Sequence, residues 1–151
     1  MTYDSREDTN AHIERVDDLL IEVSSELSRR ASQHDASKVR GPEKPIFDRV
    51  TPLLKGMTYG SDEYKASLAE MKPALDHHYA YNQHHPEHHE DGVSDMTLID
   101  LIEMLADWKA AGERHADGSM QRSLEINEKR FGIPEPLIRL LRQTADALGW
   151  L

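Results

Sequence analysis

Six of the nine histidines fall between His77 and His89; the others are His12, His34 and His115. A solvated helix end normally favours Lys and Glu over this density of imidazole. Burying each ring as a neutral core residue would demand a polar partner for each, because an unsatisfied buried imidazole costs on the order of 1–3 kcal/mol. A shared cation is a further solution. With a helical period, His78, Asn82 and His85 share one face at i, i+4 and i+7, and His77 and His84 form a parallel stripe. Either histidine pair can approach a common site, so the choice between them stays open.

Two carboxylates carry the same chemistry. His34 and Asp35 are adjacent, and a neighbouring imidazole and carboxylate can bind one divalent ion while the second oxygen bridges to another. Asp107 lies between Leu105 and Trp108 in a segment otherwise fit for a core, where an unpaired carboxylate is expensive to bury. A metal or an inward-facing cation resolves that cost; the alternative is a solvated acidic stripe of Asp100, Glu103 and Asp107. The chain has no cysteine, so any metal here takes nitrogen and oxygen ligands.

The elements that must position these residues read as helical nearly throughout. Ile13, Val16, Leu19, Leu20, Val23 and Leu27 recur at three and four, predicting one buried helix face over about 9–31, capped by Thr9 or Asp8. Gly41-Pro42 marks a turn, Ile46–Leu54 a helix entered through Pro45, and Pro52 a kink or early end. Residues 55–60 read as loop, and Ser61 as the cap of a helix with Tyr64, Leu68, Met71 and Leu75 on one face. That helix runs into the histidines and ends at Pro86. Met96 to about Ala111 is the cleanest helix, broken at Ala116-Asp117-Gly118; segments near 119–129 and 135–148 complete the set. In the last of these, Leu137, Leu140, Leu141, Leu148 and Trp150 close the core or form a homodimer contact. No alternating β-branched run reaches five residues. The expected fold is all-α: one helical bundle over residues 1–151, with about five to seven helices.

Composition narrows the partners. At 151 residues the chain is long enough for a core burying roughly 70% of its unfolded surface. Its formal charge of −10 disfavours binding to nucleic-acid backbone. No apolar run approaches the ~20 residues of a membrane span, and no apolar signal region opens the chain, so a cytoplasmic location is expected.

The order His12, His34-Asp35, His78, His85, Asp107 resembles the ligand order of the HD-domain superfamily of metal-dependent phosphohydrolases. Nearly the whole chain also resembles an uncharacterised family of small proteins from phage and bacterial genomes. The matching stretches include His12-Ile13-x-x-Val16, His34-Asp35-x-Ser37-Lys38, Pro42-Glu43 and His77-His78-Tyr79-x-x-Asn82-x-His84-His85-Pro86-Glu87-His88. They continue through Ile99–Met104, Asp107–Ala110, Arg114-His115-x-Asp117-Gly118 and Ser123-x-Glu125-Ile126-Asn127.

The HD resemblance implies an HD-like helical domain and a role for each matched residue. His12, His34, Asp35 and Asp107 would hold a first divalent ion, and His78 and His85 (or His77 and His84) a second. Lys38, about one helical turn after Asp35, would meet a phosphate. Glu43 would serve as general base or as a carboxylate behind the ligands, and Arg114 and His115 would reach the outer phosphates. The implied cofactor is one or two ions of Mn, Fe, Co, Ni or Zn. The implied activity is hydrolysis of a nucleotide or other small phosphorylated molecule by metal-activated water, in the host cytoplasm for a phage-encoded chain. Two other functions suit the same residues: an HD-like di-iron oxygenase, and a non-enzymatic phage protein that binds a nucleotide or a host factor.

Overall fold

The computed structural model describes residues 3–54, 62–114 and 118–151. These residues form six α-helices and three short 3-10 turns, and no strand occurs among them. The all-α expectation holds. The chain divides into two compact units, Met1–His34 and Asp35–Leu151.

The first unit is one helix, α1 (Arg6–Gln33). It begins at Arg6, ahead of the expected cap at Thr9 or Asp8, and Asp4 Oδ1 accepts from the Arg6 backbone N–H (3.1 Å) and satisfies the free helix start. Glu7 and Asp8 then sit in the first turn, favourable to the helix dipole. The expected buried face is not observed: α1 contains no buried residue, and Ile13, Val16, Leu19, Leu20 and Val23 are all exposed. A single helix has nothing within its own unit to bury that stripe against.

The second unit carries α2 (Glu43–Leu54), α3 (Asp62–Tyr81), α4 (Leu98–Gly112), α5 (Met120–Phe131) and α6 (Glu135–Ala147). Pro45 falls in the first turn of α2, where a missing N–H removes no helical bond, and Pro52 lies two residues before its end. α2 packs on α3, with Val50, Met71 and Ala74 buried. The expected α3 face is only partly realised, since Leu68 is exposed. The Ser61 cap and the Tyr64 side chain lie outside the described residues, as do the 55–60 loop and the break at 116–117.

The main core joins α4, α5 and α6. Leu101, Met104 and Leu105 of α4 meet Met120 and Leu124 of α5 and Ile138, Leu141 and Ala145 of α6. Val93, Met96 and Ile133 come from the connections, and Trp108, Phe131, Leu137 and Trp150 pack around the edge. Of the last helix's apolar set, Leu137, Leu141 and Trp150 therefore join the core, whereas Leu140 and Leu148 stay exposed. Among the described residues, no helix is long and apolar enough to cross a membrane.

One departure from the sequence reading decides the site. α3 stops at Tyr81, well before Pro86, so the helical stripes through His84 and His85 do not exist. His85 precedes a proline, which disfavours the helical region, and it is extended (φ −96°, ψ 129°). The α3 end is tied off by side chains. Asn82 Nδ2 donates to the His78 carbonyl (2.7 Å) and His88 Nδ1 to that of Tyr79 (2.8 Å), while His89 Nε2 donates to the Gln83 carbonyl just beyond the helix (2.8 Å).

Candidate metal centre

Asp35, His78, His84 and His85 each present one ligand atom, and the four atoms lie within 4.8 Å of one another. Asp35 comes from the head of the 3-10 turn Ala36–Val39, where it adopts the left-handed conformation (φ 54°) that Asp tolerates better than most residues. His78 projects from the last turn of α3, and His84 and His85 come from the non-helical segment that follows. His78 Nε2 lies 3.2 Å and His84 Nε2 3.5 Å from Asp35 Oδ1, and the His78 and His85 Nε2 atoms are 2.9 Å apart.

Two further carboxylates fix the rings. Glu43, fully buried in the first turn of α2, accepts from His78 Nδ1 through Oε2 (3.0 Å) and from His77 Nδ1 through Oε1 (2.7 Å). Glu103 of α4 lies 3.1 Å from His84 Nδ1 through its Oε1. An ionised carboxylate only accepts, so an Nδ1 atom bonded to it carries the hydrogen; at His78 the Asn82 Nδ2 group, 3.1 Å from the same nitrogen, competes for that role. In the neutral ring that leaves a lone pair on Nε2, and for both His78 and His84 this lone pair is turned toward Asp35 Oδ1. Acceptors converging on acceptors in a buried place call for a cation between them. Carboxylate–imidazole pairs of this kind are the usual support of metal-bound histidine. Ser37 Oγ, 3.2 Å from His78 Nδ1 and accepting from Asn82 Nδ2 at 2.9 Å, ties the Asp35 turn to the same ring.

Electrostatics favour a free lone pair on the third ring as well. Burial, and then the neighbouring His84 and His78 rings, hold the His85 imidazole well below its usual value, to about 3; Asp107 pulls the other way. His85 is thus a neutral nitrogen donor. Three imidazole nitrogens and one carboxylate oxygen form a set that can hold a metal ion.

The sequence-predicted residues fall as follows. Asp35, His78 and His85 come together, and His84 joins them instead of pairing with His77, which is held by Glu43. Asp107, half-buried on α4, acts on His85 through its charge. His12 and His34 belong to the first unit: His12 is exposed on α1, and His34 closes its C-terminus and is bonded directly to Asp35. Lys38 Nζ donates to Asp35 Oδ2 (2.7 Å). Arg114 is exposed in the turn after α4, and His115 lies outside the described residues.

The acidic stripe on α4 is not a solvated face. Asp100 is buried and closes a capping box with Thr97, while Glu103 holds His84. Sequence reasoning passed over Glu103, although a signal was present. Glu103 sits between Ile102 and Met104, and the cost argument that singled out Asp107 applies to it equally.

Residues 1–148 match the family described as "Family of unknown function (DUF5662)", and this chain is a member of that family. No curated protein and no solved structure matches the chain. The wider likeness to the HD-domain superfamily therefore rests on residue order alone.

Proposed function

We propose that this chain is a metal-dependent phosphohydrolase acting on a nucleotide or another small phosphorylated molecule. The observation that carries the reading is the convergence of the His78, His84 and His85 imidazoles with Asp35, the His78 and His84 rings being set by carboxylates behind them. A nitrogen-rich donor set with one carboxylate suits Mn, Fe, Co, Ni or Zn, and four protein donors leave a position for water or substrate on an ion that takes five or six ligands. A divalent ion held there supplies Lewis acidity toward a phosphoryl oxygen and makes coordinated water a better nucleophile.

The chain's own residues do the rest. Lys38, 37% exposed, uses one N–H on Asp35 and has two left to turn toward a phosphoryl oxygen. Glu43 is fully buried with both oxygens on imidazoles, which suits an orienting carboxylate better than a general base. Arg114, exposed beyond α4, is the candidate for a substrate's outer phosphates.

The test is elemental analysis of the purified protein. Phosphate release from a panel of nucleotides and sugar phosphates is then measured with added Mn²⁺, Co²⁺, Ni²⁺ or Zn²⁺. Bound metal and turnover that His84→Ala abolishes are the expected results. Metal-loaded protein that releases no phosphate from any member overturns the hydrolase reading. A coloured, iron-containing protein with that behaviour would place it with oxygenases instead.

A further inference from the structure

Asp35 divides its two carboxylate oxygens between different partners. Oδ1 faces the His78 and His84 nitrogens, whereas Oδ2 accepts from Lys38 Nζ at 2.7 Å. The grip is doubled, because the Lys38 backbone N–H also donates to the Asp35 carbonyl (2.9 Å), closing the turn that Asp35 heads. One residue therefore fixes both the main chain and the side chain of Asp35. Oxygen-loving ions gain from a second carboxylate oxygen: Ca²⁺ takes six to eight oxygen ligands, often including bidentate carboxylates, and Mg²⁺ demands an oxygen octahedron. An ion content with three nitrogens and one oxygen gains nothing from it.

We propose that Lys38 is the positioning residue that sets metal selectivity: by holding Oδ2 it keeps Asp35 a one-oxygen ligand, so that the centre offers three nitrogens and one oxygen. The inference rests on the metal-binding reading of the cluster and extends it to which ions are accepted. Removing the ammonium frees Oδ2 to swing onto the ion, which raises the coordination number and the oxygen share of the donor set. Lys38 does not need to touch the ion for this effect.

The experiment compares the full chain with Lys38→Met, which keeps an unbranched side chain out to Cε but lacks the ammonium, and with Lys38→Arg, which keeps a cationic donor. Each apoprotein is titrated with Co²⁺ and followed by visible absorption, which is strong for four- or five-coordinate cobalt and weak for six-coordinate cobalt. Competition between Zn²⁺ and Mn²⁺ gives the relative affinity, and circular dichroism checks that each variant is folded. The wild type is expected to give the intense spectrum. Lys38→Met should weaken the band and shift the Zn²⁺/Mn²⁺ preference by roughly tenfold toward Mn²⁺, the scale at which residues behind metal ligands act. Lys38→Arg should restore both. A folded Lys38→Met protein with the wild-type spectrum and preference overturns the inference and leaves the metal centre standing. A wild type that binds no Co²⁺, Zn²⁺ or Mn²⁺ overturns both.

Discussion

Glu43 and Glu103 never reach the centre of the cluster, yet each decides which nitrogen a ring presents to it. Glu103 lies against His84 Nδ1, and Glu103→Gln keeps the shape of the side chain but lets its amide present N–H or C=O to that nitrogen. The expected result is a 10–100-fold loss of Zn²⁺ affinity by competition titration, with little change in helix content. An unchanged affinity would remove Glu103 from the site. Glu43→Ala is more severe, since it removes the carboxylate that holds both His77 and His78 and leaves the buried His78 N–H only the weaker Ser37 Oγ contact, at a cost of about 1–3 kcal/mol. Urea unfolding of that variant should show a lower midpoint even with metal absent. The contrast also explains what was legible from sequence. His-Asp adjacency and the crowding of histidines announce a site because their chemistry is local. Glu43 pairs with rings 34 and 35 residues away, and only packing brings them together. The surplus histidines have a different explanation altogether, since His88 bonds a carbonyl in the last turn of α3 and His89 one in the segment just after it.

At the scale of elements, periodicity predicts helices well and their ends poorly. The apolar spacing of α4 matches its buried Leu101, Met104 and Leu105, because each reports a face that the core then uses. The end of α3 is not legible in periodicity, since a helix ends where its carbonyls find other partners, and those partners here are the Asn82 and His88 side chains. The histidine stripes drawn from an unbroken helix failed for that reason, while the histidines themselves still converged. The start of α4 is a firmer joint. Thr97 Oγ1 accepts from the Asp100 backbone N–H (3.2 Å), and Asp100 Oδ2 accepts in return from the Thr97 N–H (2.9 Å). Thr97→Ala should lower stability by about 1 kcal/mol. That corresponds to about 2–4 °C in melting temperature for a domain of this size. Because α4 also carries Glu103 and Asp107, the same variant should bind Zn²⁺ more weakly if the helix start sets their position. Gly132 ends α5 at φ 59°, and Gly132→Ala should cost about 1 kcal/mol through left-handed strain despite open space at its Cβ.

For the whole molecule the relevant quantity is the linkage between metal and stability. The chain carries a formal charge of −10, and its candidate centre gathers Asp35, Glu43 and Glu103 around three imidazoles with Lys38 at the edge. Without a metal, folding must hold carboxylate and imidazole acceptors close together; with one, the same atoms become ligands. The unfolded chain scatters these groups between positions 35 and 103, so it offers an ion far weaker binding. A metal ion bound at this cluster would therefore stabilise the unit Asp35–Leu151, which contains the whole set. At free metal of 100 times the dissociation constant the gain is about 2.7 kcal/mol. For a domain of this size that translates to roughly 5–10 °C in melting temperature. Thermal melts of chelator-treated protein, with Zn²⁺ or Co²⁺ restored stepwise, should show the transition rising with metal concentration and falling again on chelation. Asp35→Asn supplies the decisive comparison, because it keeps the side-chain volume and removes the charge that three rings surround. Its melt should ignore the metal. A shift that survives intact in Asp35→Asn would mean that the ion stabilises the protein somewhere other than this cluster.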